Sequence, residues 1–555
     1  MNNRFRLAAT ASLLGALMVA ACSTGNMTTA ATANGITNRI TNGITNARRV
    51  LLVSIDGLHE QDLANCTAAK TCPNIASLAQ TGVTYSNAYT PGLSDSFPGL
   101  AAILTGGSPK SAGLFYDVSY DRTLYAPGDT QCAGPQGWNV VFDETTGIDA
   151  INGGALTHLD GGGAFNPQAI PNAKINGVCT PVYPHNYLKT NTVFEVVKQQ
   201  LANARTAWAD KHAWGYDWVN GPSGKGVDDL ARTEINSVDP AMKTDYTDVY
   251  THTEKFDNLH VRAIINQIDG KDSTGANSAS VPTLFGTNLQ TLSVAQKAPN
   301  ASGGGYADPQ FTPGPQVAAA IAYADNALGQ IVAELKTKNL YGSTVIIVTS
   351  KHGQSPADHT KLVKNGDTLT ALLEANNTLD RQGKFGQAAT RSGNLNDGSG
   401  LAGTGLVQTD DLGLIWLRDQ SQTGAVVASL KANLACTPKG ICADGPQASI
   451  LSGAALAAKF GDPAQGRTPD IIVQPNPGVI YTKSKKKDAE HGGNAPDDSH
   501  LGLLVSYPAL HPATIASTVS MTQVAPTILK SLDVNPTLLE SVAQEGTQVL
   551  PGLGF

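Results

Sequence analysis

The sequence predicts an α/β protein: a mostly parallel central sheet flanked by helices, with large cap insertions. Three observations predict it. Val50-Leu51-Leu52-Val53-Ser54-Ile55 is an apolar, β-branched run, the pattern of a strand buried on both faces. Ser343–Thr349 is a second run of the same kind. Between them, Val317–Leu335 sets Ile321, Ala324, Leu328, Ile331 and Leu335 near one helical face. Buried strands alternating with amphipathic helices are the rhythm of a parallel sheet covered on both sides.

The chain opens with a targeting pattern. Arg4 and Arg6 precede Leu7–Ala21, an apolar run too short for a comfortable membrane span. It closes on Val19-Ala20-Ala21-Cys22, which resembles the lipobox of bacterial lipoproteins. The resemblance implies cleavage before Cys22 and a lipid on its thiol. Ser23 in the next position resembles outer-membrane sorting, facing the periplasm or cell surface. The plainer alternative is a secretory signal with an incidental cysteine. Residues 23–47 are rich in Thr, Asn, Ala and Gly and repeat Ile-Thr-Asn at 36–38, 40–42 and 44–46. Too poor in large apolar groups to fold alone, they read as a flexible tether. One folded domain then spans residues 48–555.

Within it the elements follow in order. The Val50 strand delivers Asp56-Gly57 to its C-terminal edge, where open α/β sheets place ligands. Pro73–Ala79 reads as a helix ending by Gly82, and Val83–Tyr85 as a strand. Ser94-Asp95-Ser96-Phe97-Pro98-Gly99 leads into a helix over Leu100–Leu104. Ser96 thus meets a helix N-terminus, whose field favours anions and alkoxides. Residues 107–280, polar and rich in Gly, Asn and Asp, read as an insertion over the sheet edge and a substrate cap. Val281–Phe285 resumes the strands, and Ser343–Thr349 ends on Ser350-Lys351-His352-Gly353. A second insertion spans about 360–460. Asp470–Val473, His491-Gly492-Gly493 and the strand Leu501–Val505 complete the set. Strands that end in Asp, Ser or His before Gly or Pro are the layout of a metallohydrolase site.

A net charge of −7 over 555 residues argues against a general nucleic-acid surface, so an anionic substrate needs local cations. With Cys22 set aside, six cysteines remain, an even count that fits disulfides in an exported protein. Spacing favours Cys66–Cys72, Cys436–Cys442 and, by elimination, Cys132–Cys179. No Cys-x-x-Cys pair points to thiolate-bound zinc.

The ordered segments resemble the alkaline phosphatase superfamily, in its type I phosphodiesterase/nucleotide pyrophosphatase branch. They are Ser54–Gly57, Pro73–Gly82, Ser96-Phe97-Pro98 with Leu104-Thr105-Gly106, Val317–Leu335, Lys351-His352-Gly353, Pro469-Asp470-Ile471 and His491-Gly492-Gly493. The resemblance implies an alkaline-phosphatase-like fold and two divalent metals, usually zinc, flanking a nucleophile. Carried over by residue, it implies Asp56, Ser96 and His352 as ligands of one metal and His491 of the second. Ser96 becomes the nucleophile, and a phospho-serine forms and is released by water.

Two departures stand out. Lys351 occupies the place of the Asp in the family's Asp-His-Gly. After the Thr283–Phe285 strand the family's Asp and His, four apart, are missing; Asn288 and Gln290 lack a His at +4. One or two metal ions are therefore expected. Lys351 reads either as a catalytic ammonium that replaces part of one metal's charge or as a strand cap paired with an acid. Asn288 is the polar group left at that edge for substrate.

Smaller signals have two readings each. Ser96 is a nucleophile or a plain N-cap; Leu100 in place of Arg argues against formylglycine maturation. His59 is a metal ligand or the start of a solvent-facing loop. Asp248 and His252 have the missing spacing but precede the wrong strand. Asp210-Lys211-His212 and Gly221–Gly226 suggest an ordered substrate loop, and the latter is no P-loop. Asp497–His500 supports His491 or merely precedes the last strand. Lys483–Lys487 is a solvated loop or a phosphate contact.

These readings point to an exported, lipid-anchored, metal-dependent hydrolase of a phosphate ester, touching the membrane through its anchor only. The alternatives are a catalytically degenerate binding lipoprotein of the same fold, and an enzyme acting on lipid or glycan phosphates.

Overall fold

Eight strands form the central sheet of the computed structural model, which describes residues 43–141, 170–239, 241–366, 405–433, 449–482 and 484–555. They are β1 (Arg49–Ile55), β2 (Gly82–Tyr85), β3 (Thr206–Asp210), β4 (Asp229–Arg232), β5 (Leu284–Leu289), β6 (Thr344–Thr349), β7 (Leu504–Ser506) and β8 (Ala513–Ile515). Their spatial order is β8-β2-β7-β6-β1-β5-β3-β4. Every pair is parallel except those that β7 makes with β6 and β2. The mostly parallel sheet expected from the sequence is the one observed.

Side chains of β1 sort by twos. Val50 and Leu52 join Leu284, Val345 and Ile347 on one face, under Phe97, Leu100 and Ile103 of helix α1 (Ser96–Thr105). Leu51, Val53 and Ile55 join Phe285, Ile346 and Val348 on the other face. That face is covered by α2 (Tyr250–Ile268) and α4 (Pro315–Thr337), with α3 (Thr291–Lys297) beside them. Both faces are dry, which is why β1 carries no alternation of polar residues.

Register sets the site. Ser54 lies level with Asn288 of β5 and Thr349 of β6. The three central strands therefore end together, and Asp56, Asn288 and Ser350-Lys351 emerge at one edge.

Three expectations change. Residues 107–280 do not stand wholly over the sheet: they supply β3 and β4 and the buried helix α2. β3 is only Thr206-Ala-Trp-Ala-Asp210, five residues set in a polar stretch, too short to show a period. Asp470-Ile471-Ile472-Val473 forms a strand, but in a separate antiparallel sheet of Leu406–Thr409, Gly413–Trp416, Ile471–Gln474 and Ser449–Ser452. There Asp470 binds Arg122, the Leu417 amide and Gln420, so it braces that sheet. The strand at Val281–Phe285 lies further on, at Leu284–Leu289.

Cys66–Cys72 and Cys132–Cys179 are disulfide-bonded. Cys436, Cys442, Cys22 and residues 23–42 of the tether lie outside the described residues, whereas its last residues join the fold: Ile44 is buried and its amide donates to the Leu553 carbonyl at 3.0 Å. Among the described residues no helix is long and apolar enough to cross a membrane.

Candidate functional site

Asp56 follows β1 directly and is fully buried. Its amide donates to the Leu289 carbonyl at 2.9 Å, which ties the turn to the end of β5. Gly57 takes a φ of +86°, and a Cβ there would meet the Gln296 side chain at 1.9 Å. Glycine alone allows that turn.

Ser96 opens α1. The helix is capped by Asp95, whose carboxylate accepts from the Phe97 amide at 3.1 Å. The N-cap reading of Ser96 is thereby answered: Asp95 does that work, and the Ser96 hydroxyl is left for other partners. Gly99, one turn on, lets the helix press against the loop after β6. A Cβ on it would lie 2.1 Å from the Lys351 carbonyl oxygen.

That close approach brings the loop's side chains to Ser96. His352 Nε2 lies 3.0 Å from Ser96 Oγ, and His352 Nδ1 lies 2.8 Å from the Gly353 carbonyl oxygen. A carbonyl only accepts, so Nδ1 carries the hydrogen and Nε2 offers its lone pair to Ser96. Burial pushes the His352 imidazole down to about 3 against the pull of Asp56, which keeps it neutral.

Lys351 is wholly buried. Its Nζ lies 3.0 Å from Asp210 Oδ1, 3.5 Å from Asp56 Oδ2 and 3.3 Å from the Tyr216 hydroxyl. Lys351 pairs with two acids, Asp210 and Asp56. Burial works against the charge of Asp56, but Lys351, His352 and Lys211 outweigh it and hold the carboxyl at about 2.

The sequence placed Asp210-Lys211-His212 in an ordered substrate loop but gave Lys211 no part at Ser96. Lys211 stands one place after β3, and its Nζ donates to Ser96 Oγ at 2.8 Å while lying 3.6 Å from Asp56 Oδ2. The signal available was Asp210-Lys211 at the end of a strand, hidden because the strand itself was not recognised. The pairing of Asp210 with Lys351 was missed for the same reason.

The second expected centre is close by. The His491 ring lies 4.1 Å from the His352 ring, tilted 36° to it, and its Nδ1 lies 3.7 Å from Asp95 Oδ2. Both of these atoms are buried without a hydrogen-bond partner. Gly492 has a φ of +111°, and a Cβ there would fall 1.9 Å from the Tyr116 hydroxyl, which donates to the His491 carbonyl. Burial lifts the Asp95 carboxyl to about 6 and that of Asp117 to about 7.

Asn288 is buried at the end of β5, level with Ser54 of β1, and donates to Gln290 Oε1 at 3.4 Å. His59 does not face solvent as the loop reading had it. It is buried, 2.8 Å from Asp62 Oδ2 and 3.1 Å from the Tyr306 hydroxyl, and accepts from the Gln354 amide. Asp248 and His252 part company: Asp248 meets Lys486 and His252 meets Asp239, each at 2.8 Å. Asp497 and Asp498 act on the His352 loop: their carbonyls accept from the amides of Gln354 and Gly353 at 3.1 and 2.7 Å.

A cavity of about 860 Å³ opens beside these groups, lined among others by Lys211, His491, Asp117, Asp410, Lys297 and Glu490. The lysine loop reaches it as well: Lys485–Lys487 lie on its wall, with Lys487 Nζ 2.9 Å from Glu490.

The sequence model of the type I phosphodiesterase / nucleotide pyrophosphatase family matches residues 50–497. The chain belongs to this family. Comparison with curated proteins finds no match. Among solved structures, alkaline phosphatase PafA aligns with a TM-score of 0.52 at 12% identity, over 89% of this chain and 97% of its own. Human ectonucleotide pyrophosphatase/phosphodiesterase 5 aligns with a TM-score of 0.50 at 14% identity, over 88% and 95%. At such identities the likeness shows the fold, which is that of alkaline phosphatase. Family and fold are those of phosphodiesterase/phosphatase-like hydrolases.

The type I phosphodiesterase family depends in general on divalent metals. At the Asp56 side of this chain the residues do not fit one, because the ammoniums of Lys351 and Lys211 already flank the carboxylate. At the other side, His491 Nδ1 and Asp95 Oδ2 are buried without a hydrogen-bond partner, as both Asp56 carboxylate oxygens are, and this pair suits a cation. Among the described residues no group of three or more His, Cys, Asp or Glu is disposed to hold a metal ion.

Proposed function

We propose that the chain is an exported phosphate-ester hydrolase of the phosphodiesterase type with Ser96 as its nucleophile. The observation that carries this is the hydrogen-bond set of Ser96 Oγ. It accepts from Lys211 Nζ at 2.8 Å and faces the lone pair of His352 Nε2 at 3.0 Å. Its own hydrogen therefore points to His352. As Oγ attacks phosphorus, that proton passes to Nε2, whose imidazole, held down to about 3 by burial, gains basicity as the anionic substrate brings negative charge beside it, and the Lys211 ammonium holds the developing negative charge on oxygen. The Oγ–P bond forms, the bond from phosphorus to the leaving oxygen breaks, and His352 returns the proton to the leaving group. Water then splits the phospho-serine.

A divalent ion held by His491 and Asp95 would supply Lewis-acid stabilisation of phosphoryl oxygens. Anchorage follows from the lipobox at Cys22, and loss of labelled palmitate in Cys22→Ala tests it. The test of the reaction is hydrolysis of bis-nitrophenyl and mono-nitrophenyl phosphate. Ser96→Ala is expected to lower turnover by about 10²-fold or more; an unchanged rate removes Ser96 from the mechanism. The binding-lipoprotein reading is favoured by one observation, the buried Lys351–Asp210–Asp56 ion pairs. It expects no turnover in the wild type.

A further inference from the structure

We propose that Lys211 and Lys351 are the resident cations of the Asp56 side of the site, so that a phosphate-type anion binds against Ser96 without a divalent ion at Asp56. This rests on the reading of Ser96 as the phosphoryl-accepting group.

Charge comes first. Asp56 and Asp210 are two buried carboxylates, and Lys351 and Lys211 are the two ammoniums set among them. The four sum to zero. The Asp56 carboxylate, which a divalent ion needs to offset its charge and desolvation, is already neutralised. An ion bound to Asp56 Oδ2 would stand beside Lys351 Nζ and Lys211 Nζ, which lie 3.5 and 3.6 Å from that oxygen. Like charges so close in a buried site repel strongly.

Geometry then separates the two lysines. Lys351 is fixed: Asp210 takes its Nζ at 3.0 and 3.4 Å, the Tyr216 hydroxyl at 3.3 Å, and the Tyr216 ring centroid lies 4.8 Å away. It occupies the interior and supplies fixed charge to Asp56. Lys211 is the outward one. It lines the cavity and already touches the nucleophile. An ammonium has three donors, and Ser96 takes one of them. The Lys211 ammonium lines the cavity, so a remaining N–H can meet a phosphoryl oxygen when phosphorus stands opposite Ser96 Oγ. Phosphate recognition by a lysine point charge at a helix N-terminus is sound chemistry.

The test is binding of inorganic phosphate by calorimetry to the purified full chain carrying His491→Ala, which removes the cation site beside Asp95, after chelator treatment and again with zinc restored, with metal content measured in parallel. Expected is an affinity that stays within about 2-fold across both conditions, and a loss of about 10-fold or more in Lys211→Met, partly recovered in Lys211→Arg. Lys351→Asp, which opens the Asp56 side, is expected to take up zinc and to make phosphate binding zinc-dependent. Phosphate binding to the His491→Ala chain that vanishes on chelation and returns with zinc overturns the proposal. So does Lys211→Met that melts normally and binds phosphate as the wild type does. If Lys351→Asp fails to fold, the chelation result and the Lys211 pair decide. Turnover is read separately: wild-type activity unaffected by Ser96→Ala refutes the nucleophile, whereas the phosphate affinities judge the lysines.

Discussion

Gly99→Ala isolates the close approach on which the site depends. The new Cβ would sit 2.1 Å from the Lys351 carbonyl oxygen, 2.8 Å from its carbon and 3.2 Å from its Cα. All three are backbone atoms, so no side chain swings away to relieve the contact. Ordinary contact begins near 3.4 Å, so helix and loop must separate by about 1.3 Å. Ser96 rides on the first turn of that helix and His352 on that loop. Their 3.0 Å hydrogen bond therefore stretches well past bonding distance. Misplacement on this scale costs about 10²-fold in rate. Stability changes less, because overpacking costs about 1–3 kcal/mol and Gly to Ala in a helix returns about 1 kcal/mol. The assay is kcat/KM on bis-nitrophenyl phosphate beside a urea melt. Gly424→Ala is the control: nothing lies within 4 Å of its Cβ. Gly99→Ala with kcat/KM within about 2-fold of wild type would refute the link between this contact and catalysis.

Three further outcomes follow from the same structure. Lys351→Met strips a buried ammonium from Asp56 and Asp210 and is expected to cost about 3–5 kcal/mol in chemical denaturation; a loss under about 1 kcal/mol would show that the ion pairs carry little. His59 is raised in the folded protein: burial opposes its charge, but Asp62 overcomes that penalty. Its contribution is therefore full below about pH 6.5 and lost as pH rises through the folded value. The stability-versus-pH curve should lose that downward limb in His59→Gln, and an identical curve would contradict it. Of the disulfides, Cys132–Cys179 closes a separation of 47 residues and Cys66–Cys72 one of 6. Chain entropy assigns them about 4 and about 2 kcal/mol, so paired Ser variants should differ in that order in urea melts.

The residues legible in the sequence were those that end long strands. β1 and β6 each carry four consecutive large aliphatic residues, Val50–Val53 and Val345–Val348, so their edges are easy to locate, and Asp56, Lys351 and His352 come with them. Ser96 and His491 are marked by neighbouring glycines, Gly99 and Gly492, which the backbone demands at close approaches. The roles of Lys211 and Asp210, placed only in a substrate loop, were not legible, and the reason is the same rule at its limit. β3 pairs in parallel with β5 and is fully buried, yet it has five residues, one of them threonine and one aspartate. A strand that short is held by its neighbours' ladders rather than by its own pattern, so tertiary pairing creates what local sequence does not announce. Asp470 is the converse case. Its strand reads as clearly as β6 does, but it pairs with Gly413–Trp416 in the small sheet and its carboxylate serves Arg122. Strand-end polarity thus identifies an edge, and only the sheet to which the strand belongs tells whether that edge is the reactive one. The two missed roles bear on the chemistry directly. Without Asp210, Lys351 looks like a lone ammonium pointed at substrate. With Asp210 and Tyr216 in place it is a fixed interior charge, and the group that meets the phosphoryl oxygen is Lys211.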